Sequence, residues 1–513
     1  MVELTVSMIV KNEEKYLADC LESIHEFCDE IVIVDTGSTD NTIEIAKKYK
    51  TRIFQFPWTN DFSAARNHAL QKSTGKWILY IDADERLSPS SVKELQKIVQ
   101  GDRTEGVRCI VKSLDEVTGH HNSMKYIRLF RNNPGLKFTG KVHEQIEPSL
   151  RDLSYSFRDS QVEILHIGYN ISAEAKKQKA NRNLELLLEE YETGPNGYLA
   201  FQLGHTYMIL GDKEKSVKYF KDALEDRTLN KQLKANVCIS LAAEEMNNLN
   251  FKAAEEYAKE GLKWDDKQPM LNIIMSKVMH YYKRALDADQ YCKKAYNTNR
   301  TLKEGKEIGA IDIILGELEI IYYGLTISVL NNVKSSINFF TDKLTTIHRV
   351  DEDESTHLLK RIIEEILNDV EITPREQSIY ARFIDTPGMD AYMAILSRYK
   401  SPRIKLTILN AVKDKFMNNT KFLNQYALTL SENKMLPEAI KIMEKVIDNG
   451  DHEVSSVLYL VSFYLNTGDV PKVAPLIKYA EEKYKNNAEI LSTIKILKQK
   501  IAPFLNTAKV AAN

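Results

Sequence analysis

The chain has 513 residues, which is too long for a single hydrophobic core and predicts roughly two to four domains. The formal net charge of −2 gives no electrostatic basis for binding nucleic acid, so we expect no such partner. The five cysteines are scattered without a C-x-x-C pair and no uncharged apolar stretch reaches about 18 residues, so we expect a cytoplasmic protein without a membrane span.

The first part of the chain alternates strand-like apolar runs with helix-like patterns. Strands are predicted at Leu4 to Val10, at Ile31 to Val34, at Ile53 to Phe56 and in the run that starts at Trp77. This alternation predicts parallel β-α-β units with helices on both faces of a sheet, which is an α/β fold. Polar residues follow these strands, and in an open α/β sheet the strand ends gather at the edge that binds ligands.

The run WILYIDADER, which begins at Trp77, places two carboxylates directly after a buried strand. Asp82 and Asp84 can point to the same side because side chains alternate along a strand. Two such carboxylates are tolerated when a divalent cation lies between them and a phosphate, so the run predicts a metal-assisted nucleotide site. The alternative is an acidic turn followed by a helix cap at Ser88, because D-x-D is common on its own.

Later segments carry further strand signals. The pattern predicts a helix from Ser88 to Gln100 and strands at Gly106 to Ile110, Tyr126 to Arg131 and Val162 to Tyr169. The glycines of a G-x-G-x-x-G motif or a phosphate loop are missing, which disfavours a dinucleotide fold and a phosphate-loop fold.

Four stretches of the sequence resemble the family 2, GT-A type glycosyltransferases: SMIVKNEEKYLADCLES, DEIVIVDTGSTDNTIEIA, FPWTNDFSAARNHAL and GKWILYIDADE. The resemblance covers Leu4 to about Tyr169. It is strongest to the branch with tetratricopeptide repeats behind the catalytic domain, which includes flagellin and bacteriocin-peptide glycosyltransferases. It implies a GT-A, Rossmann-like, mostly parallel sheet, and transfer of a hexose or N-acetylhexosamine from a nucleotide-sugar that is usually UDP-linked.

The resemblance also implies roles for individual residues at the strand ends. Asp35 is expected on the uracil and Arg66 near the uracil or the phosphates, and the full set expected to bind the nucleotide-sugar is Val10, Glu13, Asp35, Arg66, Asp82 and Ala83. Asp84 is expected to hold Mn²⁺ or Mg²⁺ against the diphosphate, with His166 as a further ligand. The alternatives are a surface arginine for Arg66 and a packed core histidine for His166.

The segment after Phe138 resembles the acceptor end of such sites through a G-x-x-H-E pattern. An inverting transfer needs a base that takes the proton of the acceptor, and Glu144 is predicted in that role with His143 orienting or binding metal. The alternative is a capping or salt-bridged pair. His120 and His121 lie in a polar loop and are weaker candidates for contact with the acceptor.

Helical patterns dominate from Ser172 onwards, and strand signals stop. Leu203, Gly204, Tyr207, Gly211, Phe220 and Ala223 fit the spacing of a tetratricopeptide repeat. The most apolar stretch, Ile311 to Leu330, carries three acidic residues and predicts a buried helix. We therefore expect a catalytic domain at 1–172, repeats at 173–270, a helical spacer or degenerate repeats at 271–400 and further repeats at 401–513, which together form an all-α solenoid.

Stacked helix pairs form a curved groove that binds peptide or protein, so we expect a protein or peptide acceptor, or a second copy of the chain in a homodimer. The sequence thus predicts an inverting, metal-dependent glycosyltransferase that acts on protein side chains. The alternatives are a saccharide or lipid-linked acceptor, and a non-catalytic repeat adaptor. A missing basic amphipathic helix disfavours the former, and the intact Arg66, Asp82, Asp84 and Glu144 disfavour the latter.

Overall fold

The computed structural model of the chain describes residues 2–114, 121–167, 172–303, 311–348, 354–450, 452–485 and 488–511. The described residues form two compact units. The first consists of Met1–Val278 and Lys294–Glu317, and the second of Met279–Lys293 and Leu318–Asn513. The first unit therefore contains the sheet together with the first helices of the helical part. The predicted domain boundaries at residues 172, 270 and 400 stay predictions.

The first unit is built on a nine-stranded sheet. Its strands are β1 (Leu4–Val10), β2 (Glu30–Asp35), β3 (Arg52–Gln55), β4 (Trp77–Tyr80), β5 (Glu85–Leu87), β6 (Glu105–Leu114), β7 (His121–Arg131), β8 (Ser156–His166) and β9 (Ile311–Ile314). The order is β3-β2-β1-β4-β7-β6-β8-β5, with β9 paired to β7. Strands β3, β2, β1 and β4 run parallel, and β7 joins β4 in antiparallel orientation. The predicted α/β class is confirmed.

Helices pack on both faces of this sheet, α1 (Leu17–Glu22) and α4 (Val92–Val99) on one face and α3 (Phe62–Lys72) on the other. The remaining helices before residue 304 are α2 (Thr42–Ala46), α5 (Glu147–Asp152), α6 (Ala173–Thr193), α7 (Gly197–Leu210), α8 (Lys213–Glu225), α9 (Lys231–Asn247), α10 (Phe251–Trp264), α11 (Pro269–Tyr281) and α12 (Ala285–Lys303). The end of α11 and the first half of α12 belong to the second unit. Strand β2 shows how the alternation of side chains divides the core. Ile31 and Ile33 join the buried cluster of α1 and α4, whereas Val32 and Val34 pack with Ala69 of α3.

The second unit is helical in its described residues. Its helices are α13 (Glu317–Leu330), α14 (Lys334–His348), α15 (Glu354–Leu367), α16 (Pro374–Phe383), α17 (Met389–Ser397), α18 (Pro402–Phe416), α19 (Thr420–Glu432), α20 (Leu436–Asp448), α21 (Val454–Thr467), α22 (Val470–Lys483) and α23 (Ala488–Ala511). The predicted helical part is confirmed. None of the helices in the described part of the chain has both the length and the hydrophobicity needed to cross a membrane.

Strand β9 overturns the prediction of a helix throughout Ile311 to Leu330, and of no strand after Ser172. It pairs antiparallel with β7, so that Met124 lies opposite Ile311 and His121 opposite Ile314, and α13 begins only at Glu317. The apolar run of β9 is short and merges in the sequence with the apolar helix that follows, so periodicity cannot separate them.

Two helix pairs pack closely in the same way, with a glycine of one helix against a phenylalanine ring of the next. A Cβ added to Gly204 of α7 would lie 2.5 Å from the ring of Phe220 in α8. A Cβ on Gly324 of α13 would meet the ring of Phe340 in α14 in the same way, at 2.3 Å. The sequence separation of glycine and phenylalanine is identical in both pairs. The region expected to be a spacer therefore contains a helix pair packed like the predicted repeat.

Candidate active site

The loops after β1 and β2 hold each other and fix Glu13 at the edge of the sheet. Asn12 has the left-handed backbone that asparagine tolerates better than most residues, with φ of 57°. Its side-chain oxygen accepts the amide of Thr39 at 2.7 Å, and its own amide donates to the hydroxyl of Ser38 at 3.0 Å. The amide of Glu13 donates to the hydroxyl of Thr42 at 2.7 Å, so the backbone of Glu13 is fixed.

Glu13, Asp82 and Asp84 are close enough to influence one another. Burial and, after it, the charges of Asp84 and Asp82 together raise the pKa of Glu13 to about 7. Like charges disfavour ionisation of a neighbouring carboxyl group, so this shift reports a shared acidic region. The side chains of Asp82 and Asp84 are 34% and 23% exposed, so both open to solvent.

Asp84 and His166 meet at the ends of β4 and β8. The Nε2 atom of His166 lies 3.1 Å from Oδ2 of Asp84, and Nδ1 lies 3.3 Å from the hydroxyl of Ser113. The backbone carbonyl of Asp84 accepts the amide of Ile167 at 3.0 Å, which ties the turn after β4 to the end of β8. Burial would lower the pKa of His166, but the hydrogen bond and the charge of Asp84 outweigh it and raise that pKa.

Arg66 of α3 joins Asp82 to Glu144. Its Nη2 donates to Oδ1 of Asp82 at 2.7 Å and its Nε donates to Glu144, while its side chain is 8% exposed. The guanidinium also lies 5.1 Å from the ring centroid of Tyr80. Burial would raise the pKa of Asp82, but Arg66 and then Arg128 outweigh it and lower that pKa. Arg66 is thus a buried ion-pair partner in the structure, not a surface arginine.

Arg128 and Glu85 complete the network, and the sequence analysis missed both. The Nη2 atom of Arg128 donates to Glu85 at 2.7 Å, and Nη1 lies 3.7 Å from Asp82. The backbone amide of Asp82 donates to the other oxygen of Glu85 at 2.9 Å. The available signal was a charged residue, Arg128, between apolar residues in the strand Tyr126 to Arg131, because a buried charge requires a partner.

His143 and Glu144 lie in a closed loop, residues 139–145, that we call the Glu144 loop. Thr139 and Gln145 exchange backbone hydrogen bonds at 3.0 and 2.8 Å, which close the loop. Helix α3 fixes it, since Asn67 makes two hydrogen bonds to the backbone of Phe138 and Ser63 donates to the carbonyl of Gly140 at 2.6 Å. Three of the five side chains in the sequence SAARN, residues 63–67, therefore contact the Glu144 loop: Ser63, Arg66 and Asn67.

His143 extends from this loop in a left-handed backbone conformation, with φ of 57°, and its side chain is exposed. Desolvation by the surrounding protein lowers the pKa of His143, against the opposing charge of Glu144. The neutral imidazole is therefore the favoured form near neutral pH.

Val10, Asp35 and Ala83 lie at strand ends apart from the ion pairs of Arg66. Val10 lies opposite Asp35 in the register of β1 and β2. The carboxylate of Asp35 accepts the amides of Gly37 at 3.2 Å and Ser38 at 3.1 Å. The carbonyl of Ala83 accepts from Arg86 at 2.9 Å. His120, Gly168 and Tyr169 lie outside the described residues, as does the side chain of His121.

Within the described ranges, no group of three or more His, Cys, Asp or Glu side chains is arranged to hold a metal ion. Asp84 and His166 supply two adjacent donors, a carboxylate oxygen and an imidazole nitrogen. Mg²⁺ and Mn²⁺ accept such donors, and they commonly take only one or two protein ligands when phosphates supply others. The pair therefore fits an ion that is shared with a bound diphosphate.

Comparison with known proteins defines the class of this site. Residues 5–151 match the model of glycosyl transferase family 2, and residues 198–225, which cover α7 and α8, match the tetratricopeptide repeat. Residues 5–151 and 198–225 are thus similar to the two families that the sequence resemblance named.

Two relatives are similar over nearly half of the chain. The glycosyltransferase SunS of Bacillus subtilis is 33% identical over 233 residues, which are 44% of this chain and 53% of SunS. A TPR repeat-containing protein of Synechococcus elongatus is 31% identical over 234 residues, which are 44% of this chain and 57% of that protein. The chain thus spans little more than half the length of these relatives.

The similarity to solved structures is looser. The S. aureus TarS 1-349 complex with UDP has a TM-score of 0.28 and 17% identity, covering 61% of this chain and 97% of TarS. The glucosyl-3-phosphoglycerate synthase of Mycobacterium tuberculosis with Mn²⁺ and UDP-glucose has a TM-score of 0.20 and 23% identity, covering 21% of this chain and 44% of that chain. At these scores the similarity does not extend to the details of the site.

Proposed function

We propose that the chain is an inverting glycosyltransferase that moves a sugar from a UDP-sugar to a protein or peptide side chain. The observation that carries the proposal is the meeting of Asp84 and His166 at 3.1 Å beside Asp82. Asp82 and Asp84 lie inside the segment 5–151 that matches glycosyl transferase family 2, and His166 follows that segment. Glu13, Asp35, Arg66, Asp82 and the backbone at Val10 and Ala83 form the donor side. The helical repeats form the acceptor side, or bind a second copy of the chain.

The chemistry requires charge compensation at the donor and proton removal at the acceptor. Asp84 and His166 would hold Mn²⁺ or Mg²⁺, which offsets the negative charge that grows on the diphosphate as its bond to the anomeric carbon breaks. Arg66 holds the carboxylates of Asp82 and Glu144 in place through its two ion pairs. Glu144 takes the proton of the acceptor while the acceptor atom attacks the anomeric carbon from the opposite side, which inverts its configuration.

One relative favours a second acceptor class. The lipopolysaccharide core biosynthesis glycosyltransferase LpsC of Rhizobium meliloti is 34% identical over 157 residues, which are 28% of this chain. A saccharide acceptor is therefore the second candidate. The tetratricopeptide match at residues 198–225 favours the protein acceptor, because such repeats bind peptides and proteins.

A donor assay tests the proposal. We expect the purified chain with Mn²⁺ to release UDP from at least one UDP-sugar in a panel, and Asp84→Asn to lower this release at least about a hundredfold, since an ion held for charge compensation supplies several kcal/mol. Lys97→Met on the surface of α4 is the control. Absence of release and of UDP binding with every donor would reject the enzyme in favour of an adaptor. Intact-mass analysis of peptide and saccharide acceptors separates the two acceptor classes.

A further inference from the structure

Two helices hold the backbone of the Glu144 loop at Lys141. The amide of Lys141 donates to Oε2 of Glu190 in α6 at 3.1 Å, and its carbonyl accepts the amide of Phe62 in α3 at 2.9 Å. The other carboxylate oxygen of Glu190 lies beside Gly140, since a Cβ added to that glycine would meet it at 3.5 Å. Both backbone groups of Lys141 are therefore bound from outside the loop, three residues before Glu144.

Val142, the next residue of the loop, packs against the first helices that follow the sheet. Its side chain is 3% exposed and lies in one buried cluster with Leu187 of α6 and Leu199 of α7. Protein interiors are close-packed, so a side chain in such a cluster cannot shift far without opening a cavity. Helices α6 and α7 thus contribute, together with α3, to the path of the chain into Glu144.

We propose that Glu190 is a positioning residue, which holds the backbone of Lys141 so that Glu144 reaches the proton of the acceptor. This inference rests on the proposed function, in which Glu144 is the base. A base must lie within hydrogen-bond reach of the proton that it takes, and a small displacement of a catalytic group lowers the rate strongly. Arg66 fixes the carboxylate of Glu144, and Glu190 fixes the loop that carries it.

Glu189 supplies a matched control, because it contacts the same lysine without holding its backbone. The Oε1 atom of Glu189 lies 2.7 Å from Nζ of Lys141, and both side chains are exposed, at 60% and 38%. An exposed ion pair of this kind contributes little to the structure. Loss of the Glu189 carboxylate therefore changes the same turn of α6 and leaves the amide of Lys141 bound.

The test measures the release of UDP with Mn²⁺, from the UDP-sugar that the donor panel identifies, for the native chain, Glu190→Met, Glu190→Gln and Glu189→Met. Water replaces the acceptor in this reaction and loses its proton to the same base. We expect Glu190→Met to lower kcat about ten- to a hundredfold, with the KM for the donor and the calorimetric affinity for UDP within about twofold of native. Glu190→Gln keeps an oxygen that accepts the amide, so it should retain at least about half of the native kcat, and Glu189→Met should match the native chain.

Hydrogen exchange shows directly whether the loop is released. In Glu190→Met the amide of Lys141 should exchange faster while the amides of α7 stay protected, which also establishes that the variant is folded.

Native kcat in Glu190→Met would overturn the inference and leave the proposed function standing. A parallel loss of kcat and of UDP affinity would also overturn it, since a merely structural role disturbs the donor site as well. Glu190→Gln as slow as Glu190→Met would show that the hydrogen bond to Lys141 does not position the base. Absence of UDP release by the native chain with every donor would overturn the inference together with the proposed function.

Discussion

Arg66 forms ion pairs with two carboxylates that are far apart in the sequence. Asp82 follows β4 and Glu144 lies in the Glu144 loop, yet both bind one buried guanidinium. Removal of a cation from such a group leaves the carboxylates without compensation, which costs more than the ion pair itself contributes. The stability of the first unit therefore depends on the same residue as its site.

We expect Arg66→Met to lower the free energy of unfolding of the first unit by about 2–3 kcal/mol at pH 7, somewhat below the values for fully buried pairs because Asp82 is 34% exposed. All three tryptophans, at positions 58, 77 and 264, belong to the first unit, so urea unfolding followed by tryptophan fluorescence reports on it alone. Lys97→Met is the control and should change stability by less than about 0.5 kcal/mol.

The difference in the free energy of unfolding between the native chain and Arg66→Met should decrease as the pH is lowered. The pKa of Asp82 lies below its ordinary value in the native chain, so its contribution to stability is present above that ordinary value, near 4, and is lost as the pH falls through the lowered one. The difference between the native chain and Arg66→Met should shrink in this acidic range. A difference that persists or grows there would contradict the assigned ion pair.

The sequence pattern predicts the position of some residues of the candidate site and not of others. Asp82, Asp84 and Glu13 could be predicted because they directly follow apolar strands, whose ends meet at one edge. The pairing of Arg66 with Glu144 could not, because it depends on the shape of the Glu144 loop, which no periodicity describes. Arg128 was missed since its strand was interpreted from its apolar residues alone.

At the scale of elements, helix α7 approaches α8 closely because Gly204 has no side chain. We expect Gly204→Ala to destabilise the first unit by about 1–3 kcal/mol, because the new Cβ would lie 2.5 Å from the ring of Phe220 and force the helices apart. Gly194→Ala is the matched control, since a Cβ there meets nothing within 4 Å. Equal fluorescence-monitored urea midpoints for both variants would refute this contact.

Strands and helices could be predicted where the hydrophobic pattern extended over many residues and stood apart from other apolar runs. Strand β1 was predicted at Leu4 to Val10 and has those bounds, because seven successive residues form a buried central strand. Helices α13 and α14 were expected only as a degenerate region, because Gly324 and Phe340 reveal their packing only in three dimensions. Strand β9 was hidden by its apolar neighbours.

At the scale of the molecule, the chain returns to its N-terminal sheet after many helices. We expect Ile313→Pro to disrupt the pairing of β9 with β7, since proline has no backbone N–H to donate and its ring fixes the φ angle at about −65°. Hydrogen exchange should then accelerate at those amides of 121–124 that face β9, because the others stay paired with β6, and it should stay slow at 127–130, which pair with β4 and β6. Ile313→Ala keeps the amide and is the control. Unchanged exchange at 121–124 in Ile313→Pro would contradict the pairing.

The late arrival of β9 has a consequence for biosynthesis. About 190 residues separate it from its partner strand, and at roughly 5–20 residues per second a ribosome needs about 10–40 s to supply them. During that interval the nascent chain presents the outer edge of β7 without its partner. An unpaired strand edge can pair with another chain, so slow codons between the two strands should increase aggregation of the newly made protein.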